Sequence, residues 1–190
     1  MSVLSRSIAF CITAVFATAV VAAPESFVVT SPGFAAGEPI SNNYIYNDGG
    51  CHGADRSPAL DWRNAPPGTK SFAVTLFDLD EPGSPSGWWH WVIYDLPGST
   101  TGLIENAGAE TGSHLPHGTR RGRTDQGTGA YHGPCPGQGE PAHRYQITIY
   151  ALAIKKLPVP TEPSGSMVAW TASTNGYTLA KATLTATYGR

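Results

Sequence analysis

The sequence predicts a mainly β protein, an antiparallel Greek-key β-sandwich with one short helix near the C-terminus and long loops. Several segments alternate polar and apolar residues with a period of two, which is typical of strands. The chain of 190 residues holds 22 glycines and 16 prolines, which interrupt it at short intervals. Only 14% of the residues are charged and 41% are apolar, a composition that fits a helical bundle poorly.

The strands are predicted where this alternation is clearest, at residues 60–62, 71–77, 91–96, 145–152 and 179–188. Shorter strands within residues 27–46 are interrupted by proline and glycine. Residues 98–129 show little periodicity and many glycines, which predicts a long functional or packed surface loop. The one helix is predicted at residues 164–174, where Ser164 or Ser166 can cap its first turn.

The first 23 residues are predicted to be a secretory signal peptide and not part of the fold. Arg6 precedes an uncharged apolar stretch at residues 8–21, and Ala22 and Ala23 supply the small residues of a cleavage site. A retained membrane anchor is the alternative, although the apolar stretch is short for a span. We therefore expect a single domain at residues 24–190, exported to the periplasm or secreted, with no transmembrane anchor in the mature chain.

Export determines how the cysteines are interpreted. Cys11 lies in the predicted signal peptide, so the mature chain keeps Cys51 and Cys135. Two cysteines in an oxidising compartment usually pair, which predicts a disulfide between them. The alternative is two separate thiols.

Composition and motifs argue against several classes of function. The net charge of −2 provides no basic face for a nucleic acid, and no G-x-S-x-G motif supports a hydrolase. His114 and His117 lie in a Pro/Gly loop without a carboxylate at a matching spacing, so we expect no metal site. Asp78, His90 and Tyr145 could act as acid and base, but no nucleophile is evident. We therefore expect no enzyme and no cofactor, with a hydrolase of unknown substrate as the minor alternative.

Residues capable of binding chemistry stand at the ends of three predicted strands. Asp78 follows the second strand, His90 precedes the third, and His143 precedes the fourth, which begins at Tyr145. Loops and strand ends of β scaffolds often carry function, so we predict one shared anion pocket. Asp78 is predicted to accept a hydrogen bond from the His90 ring and to favour its imidazolium form. The alternative for His90 is a core histidine bonded to a backbone carbonyl.

Two motifs in this region match a known family. The first reads DLDEP at residues 78–82 and WWHW at residues 88–91, and the second reads GAYHGPCPG at residues 129–137 and HRY at residues 143–145. Their order and composition resemble the D-P-D-x-P, W-x-H-W, G-Y-x-G-P-x-P-P and H-R-Y motifs of the phosphatidylethanolamine-binding protein family, in its bacterial Raf-kinase-inhibitor-like branch. The resemblance covers roughly residues 40–152.

The resemblance implies a site for phosphate or phosphoethanolamine-type head groups. The implied ligand-binding residues are Asp78, His90, Tyr131, Gly133, His143 and Tyr145, and the pocket rim is formed by Trp88, Trp89, Pro134 and Pro136. Arg144 is expected to form a salt bridge with an acidic residue of the 78–81 loop. The family also includes kinase and protease modulators, so the alternative function is an interaction protein that binds a protease or signalling protein through residues 98–129.

Overall fold

Two antiparallel sheets and one helix form the fold in the computed structural model, which describes residues 25–84 and 86–190. The predicted signal peptide at residues 1–23 lies outside the described residues. In chain order the elements are β1 (Val28–Thr30), β2 (Leu60–Arg63), β3 (Ser71–Asp78), β4 (Trp88–Pro97), β5 (Gly102–Leu103), β6 (Arg120–Arg121), β7 (His143–Leu152), α1 (Gly165–Ser173) and β8 (Thr178–Tyr188), with a 3₁₀ turn at Asn42–Tyr44 after β1.

The sheets differ in size. The smaller has the strand order β1-β2-β5 and the larger has the order β6-β4-β3-β7-β8, and the strand pairs within each are antiparallel. The predicted antiparallel sandwich with one helix is therefore confirmed. Within the described residues, no helix is both long and apolar enough to cross a membrane.

Side chains are buried on both faces of the larger sheet. Its inner face packs against the smaller sheet through residues such as Leu76 and Ile147. Its opposite face packs against α1, where Ala73 and Val92 contact a cluster that contains Val168. Each large apolar side chain that is fully buried in these clusters contributes about 1.5–3 kcal/mol. Alternation usually marks a strand with one buried face, but β3 is buried on both faces because α1 covers the second one.

The helix begins where the sequence predicts it. The Ser164 side chain accepts a hydrogen bond from the Met167 amide at 3.2 Å, which identifies Ser164 as the N-cap. Gly165 then lies against the Trp89 ring, since a Cβ at this position would be 2.4 Å from Trp89 Cγ. The close approach of helix and sheet at this point requires glycine.

Several element boundaries differ from the prediction. The strands β4 and β7 begin at Trp88 and His143, because Asp78 continues the ladder by pairing with Trp88 on one side and Tyr145 on the other. His90 and His143 therefore lie within strands and not before them. The short β1 is the one strand within residues 27–46, and residues 98–129 contain the two short strands β5 and β6.

Two long-range connections hold the loops in place. Cys51 and Cys135 form the predicted disulfide, at a sequence separation of 84. Residues 37–40 run beside the end of β8, where the Gly37 amide donates to the Thr185 carbonyl, the Thr187 amide to the Glu38 carbonyl and the Ile40 amide to the Thr187 carbonyl.

Candidate functional site

A polar cavity of about 240 Å³ lies at one end of the larger sheet, where β3, β4 and β7 meet. The side chains of Asp78 and Tyr145 come together there because the two residues are paired across β3 and β7. The residues that line the cavity are Tyr46, Gly49, Asp78, Glu81, Trp88, His90, Gln126, His132, Gly133, Cys135, Pro136 and Tyr145. We refer to it as the head pocket.

A β-bulge orients His90 toward the head pocket. Phe77 pairs with Trp89 and Leu76 pairs with Trp91, so His90 is the extra residue in β4. Trp89 packs on the helix face and Trp91 packs in the core between the sheets, while His90 lines the pocket. Bulges often redirect a side chain beside a functional site. A regular strand could not place neighbouring residues in this way.

The buried carboxylate of Asp78 is hydrogen-bonded to the imidazole ring of His143. Nδ1 of His143 lies 2.8 Å from Asp78 Oδ2, and both side chains are almost completely buried. Asp78 Oδ1 accepts a second hydrogen bond from the Asp80 amide at 2.8 Å. The prediction that Asp78 holds the His90 ring is therefore wrong. His143 lies behind Asp78 and does not line the pocket, because its ring is turned toward Asp78 and Glu140.

A backbone carbonyl fixes the His90 ring. Nδ1 of His90 lies 2.8 Å from the His132 carbonyl oxygen, which can only accept, so Nδ1 carries a hydrogen. Burial lowers the pKa of His90, and the hydrogen bond to His132 and the charge of Asp78 oppose this shift. The neutral ring therefore leaves Nε2 as an acceptor for the pocket, and it becomes a donor only when His90 takes up a proton.

Tyr145 provides a hydroxyl group without a protein partner. Its side chain is fully buried and lines the pocket, and its hydroxyl has no hydrogen-bond partner within residues 25–84 and 86–190. Burial raises the pKa of Tyr145 most, and the nearby Asp78 carboxylate raises it further through its charge and a contact too poorly aligned or too long for a regular hydrogen bond, so the phenol keeps its proton. The ring packs edge-on against His90 at 5.4 Å between centroids. A bound ligand would supply the missing acceptor.

His132 and Gly133 also line the head pocket. Nε2 of His132 lies 2.7 Å from Thr128 Oγ1, and Nδ1 lies 3.6 Å from Asp55 Oδ2. Gly133 is one of the ligand-binding residues that the resemblance implies, but its amide donates to Asp55 Oδ1 at 2.7 Å and is not free to bind an anion. A Cβ at Gly133 would be 2.1 Å from the Tyr44 carbonyl oxygen, so only glycine fits there.

Three other predicted site residues lie outside the pocket wall. Tyr131 is buried in the core, where its hydroxyl donates to the Tyr44 carbonyl at 2.6 Å. Trp89 packs against Gly165 on the helix face, and Pro134 does not line the cavity. The predicted rim residues Trp88 and Pro136 do line it.

Some pocket residues were missed. Glu81 belongs to the first motif and His132 to the second, so both could have been found as variable positions within a motif. Cys135 was assigned only to the disulfide. Tyr46 and Gln126 come from irregular segments, and no pattern in the sequence indicates that they reach the site.

The head pocket is lined by acidic side chains. Asp78 and Glu81 line it, and no lysine or arginine is among the described residues that do so. Ligand atoms of Asp78, Glu81 and His143 lie within 4.8 Å of one another, a donor set that suits a divalent cation, but Nδ1 of His143 is already bonded to Asp78. This cluster does not include His114 or His117, the histidines considered from sequence.

An ion pair outside the pocket fixes the loop after β3. Arg144 donates to both carboxylate oxygens of Asp80, from Nε at 2.8 Å and from Nη2 at 2.7 Å. These bonds lower the pKa of Asp80 to about 2. The predicted salt bridge of Arg144 with the 78–81 loop is confirmed, and the loop that carries Glu81 is anchored to β7.

The fold and the site together define a class of protein. A two-sheet antiparallel sandwich carries one small polar pocket at a sheet end, built from a tyrosine hydroxyl, two histidines and two carboxylates. The combination defines a β-sandwich of the binding type.

Comparisons with known proteins identify the family. A family model described as phosphatidylethanolamine-binding protein matches residues 30–189. The protein YbcL of Escherichia coli K12 is 39% identical over 158 residues, which are 83% of this chain and 86% of YbcL. YbhB of the same organism is 39% identical over 152 residues, 80% of this chain and 93% of YbhB. The chain belongs to the phosphatidylethanolamine-binding protein family.

Two further matches agree with this assignment. The crystal structure of E. coli YbcL, described as a new member of the mammalian PEBP family, has a TM-score of 0.82 and covers 86% of this chain and 98% of its own. The putative lipoprotein LppC of Mycobacterium tuberculosis is 30% identical over 158 residues, 83% of this chain and 70% of LppC. Both support one family fold over most of the chain.

Proposed function

We propose that the protein is a non-catalytic binding protein whose head pocket takes the phosphoethanolamine-type head group of a small molecule or lipid. The observation that carries this proposal is the buried, unpartnered hydroxyl of Tyr145 in a pocket shared with His90. An unsatisfied buried hydroxyl costs about 1–3 kcal/mol, which a ligand oxygen would recover. Membership in the family supports the same ligand class.

The distribution of charge favours a zwitterion over inorganic phosphate. The Tyr145 hydroxyl and the protonated His90 ring are donors for a phosphate oxygen. The carboxylate of Glu81 and the ring of Trp88 suit an ammonium group, by charge and by cation–π attraction. A ligand that carries both groups satisfies both sets of residues, whereas phosphate alone would lie near the Glu81 carboxylate without an ammonium group to offset its charge.

Export is part of the proposal. Residues 1–23 have the pattern of a signal peptide, and the disulfide between Cys51 and Cys135 suits an oxidising compartment. The similarity to a putative lipoprotein is compatible with a location outside the cytoplasm. We place the mature protein in the periplasm or the medium. Mass spectrometry of protein from these fractions should show the loss of about 2.3 kDa.

Calorimetric titration of the mature protein tests the ligand. Phosphoethanolamine should bind saturably and more tightly than inorganic phosphate or ethanolamine. Tyr145→Phe should weaken binding by about tenfold because it removes one hydrogen bond to a charged group. The control is Tyr150→Phe, a buried tyrosine on the helix face. If the protein inhibited a peptidase and bound no head group, the alternative function, an interaction protein that modulates proteases, would be favoured instead.

A further inference from the structure

A second cavity, of about 410 Å³, lies on the far side of β4 at the edge strand β6. Its walls are formed by Tyr94, by Arg120, Arg121 and Arg123, by the glycine-rich turn at residues 127–129 and by Glu162. We call it the arginine cleft. The motifs of the family do not include these arginines, and the head pocket does not use them.

The Arg120 and Arg121 side chains contact uncharged groups. The Arg120 guanidinium lies over the Tyr94 ring, 5.1 Å from its centroid. Nη1 of Arg121 donates to the Glu110 carbonyl at 2.7 Å. The backbone of Arg123 is fixed by a hydrogen bond to the Pro163 carbonyl at 2.8 Å. Such contacts set positions but do not neutralise charge.

The cleft has an excess of positive charge. Among the ion pairs formed within the described residues, none includes Arg120, Arg121 or Arg123. The one carboxylate on the cleft wall is Glu162, which is exposed. An anion bound in the cleft would be attracted by this net positive charge.

A buried hydroxyl without a partner lies at the same place. Tyr94 lines the cleft and is fully buried, and its hydroxyl has no hydrogen-bond partner in the part of the chain that the structure describes. A buried donor of this kind indicates an acceptor that is supplied from outside the chain. It is independent of the arginine charges and points to the same ligand chemistry.

We propose that the arginine cleft is a second ligand site, which binds a small phosphorylated compound with two or more negative charges. A guanidinium group matches phosphate oxygens in pairs, and a cleft lined by three arginines and one carboxylate has a net positive charge that suits a ligand with more than one negative charge. The cleft is separate from the head pocket: Gly127, Thr128 and Gly129 line the cleft, while Gln126 and His132 line the pocket. The two cavities share residues 126–133 as a common wall.

Calorimetric titration of the mature protein with inorganic pyrophosphate tests this site at physiological ionic strength. Arg120→Gln and Arg123→Gln should each weaken binding by about tenfold or more, the loss expected for one charge-assisted hydrogen bond. The matched control is Arg63→Gln, which removes an exposed charge from β2 and should change affinity by less than about twofold. Circular dichroism confirms that each variant folds.

Additional variants distinguish the arginine cleft from the head pocket as the site of pyrophosphate binding. His90→Gln should leave pyrophosphate binding unchanged, while Arg120→Gln should leave the binding of phosphoethanolamine unchanged. Amide shifts on titration should fall at residues 127–129. The proposal is overturned if the wild type shows no saturable binding, if Arg63→Gln weakens it as much as Arg120→Gln, or if His90→Gln abolishes it. If sulfate bound as tightly as pyrophosphate, the cleft would select for charge and not for phosphoryl groups, and the proposal would also be overturned.

Discussion

The binding of a head group should be coupled to proton uptake by His90. The ring donates from Nδ1 to the His132 carbonyl, so its neutral form presents only an acceptor to a phosphate oxygen. An anion can bind to Nε2 only when a proton arrives with it. His90→Gln replaces the ring with an amide that donates without titrating, so this variant should lose the coupling while it retains a donor.

The size of the effect follows from the pKa of His90. Burial keeps this pKa below its ordinary value of 6.5 in the free protein. Above that pH each further unit costs a factor of ten in affinity, since one proton must be taken up for each ligand bound. Between about pH 6.5 and pH 8.5 the affinity of the wild type should therefore fall roughly 100-fold, about 2.7 kcal/mol. His90→Gln should vary little over this range.

Titration calorimetry in buffers of different ionisation enthalpy measures the proton directly. Glycerophosphoethanolamine is a suitable probe because its phosphodiester has no titrating proton near neutral pH. About one proton per ligand should be taken up near pH 8 by the wild type and none by His90→Gln. Uptake close to zero in the wild type would refute the reasoning. Coupling that persists in His90→Gln and disappears in His132→Gln would assign the proton to the other pocket histidine.

Three further predictions concern stability. Cys51→Ser should lower the free energy of unfolding by roughly 4.5 kcal/mol in denaturant titrations, because it opens a loop of 84 residues. Asp78→Asn should lower it by about 1.5–3 kcal/mol, or about 4–10 °C in thermal melts, because His143 loses a buried charged acceptor. Asp80 should titrate near pH 2 by NMR, and Arg144→Gln should return its pKa toward the ordinary value. Since folding depresses this pKa, the stability that Asp80 contributes is present above about pH 4 and is lost as the pH falls toward 2.

Each of these three predictions has a control variant or a result that would contradict it. Asp61→Asn changes an exposed aspartate of β2 and should shift the melting temperature far less than Asp78→Asn. Equal shifts would mean that the bond to His143 contributes nothing. A Cys51→Ser variant as stable as the wild type would show that the loop is already ordered in the unfolded ensemble. An unchanged Asp80 pKa in Arg144→Gln would assign the depression to another group.

Local patterns predicted most of the fold because they act over short distances. Alternation identified the central strands β3 and β7, and a serine before an apolar run identified the cap of α1. The same alternation could not show that β3 is covered on both faces, since Ser71 and Thr75 are buried polar residues on the helix face. Burial there depends on α1, which lies almost a hundred residues later in the chain.

The sequence predicted which residues form the site, but not which of them bond to one another. Motifs identified Asp78, His90, His143 and Tyr145, and all four lie at one sheet end. Which histidine bonds to Asp78 depends on strand register and on the bulge at His90, and neither can be read from spacing. The carbonyl that fixes His90 belongs to His132, 42 residues away in sequence, so no local signal could indicate it.

Residues 37–40 hydrogen-bond along the free edge of β8, and this affects self-association of the protein. A long strand at the edge of a sheet exposes unpaired amides and carbonyls that can recruit a second chain. Here the backbone of residues 37–40 occupies those groups near Thr185 and Thr187. The remaining edge carries Lys181, whose charge opposes close pairing of a second copy. This edge of the larger sheet is therefore poorly available for pairing with a second copy of the chain.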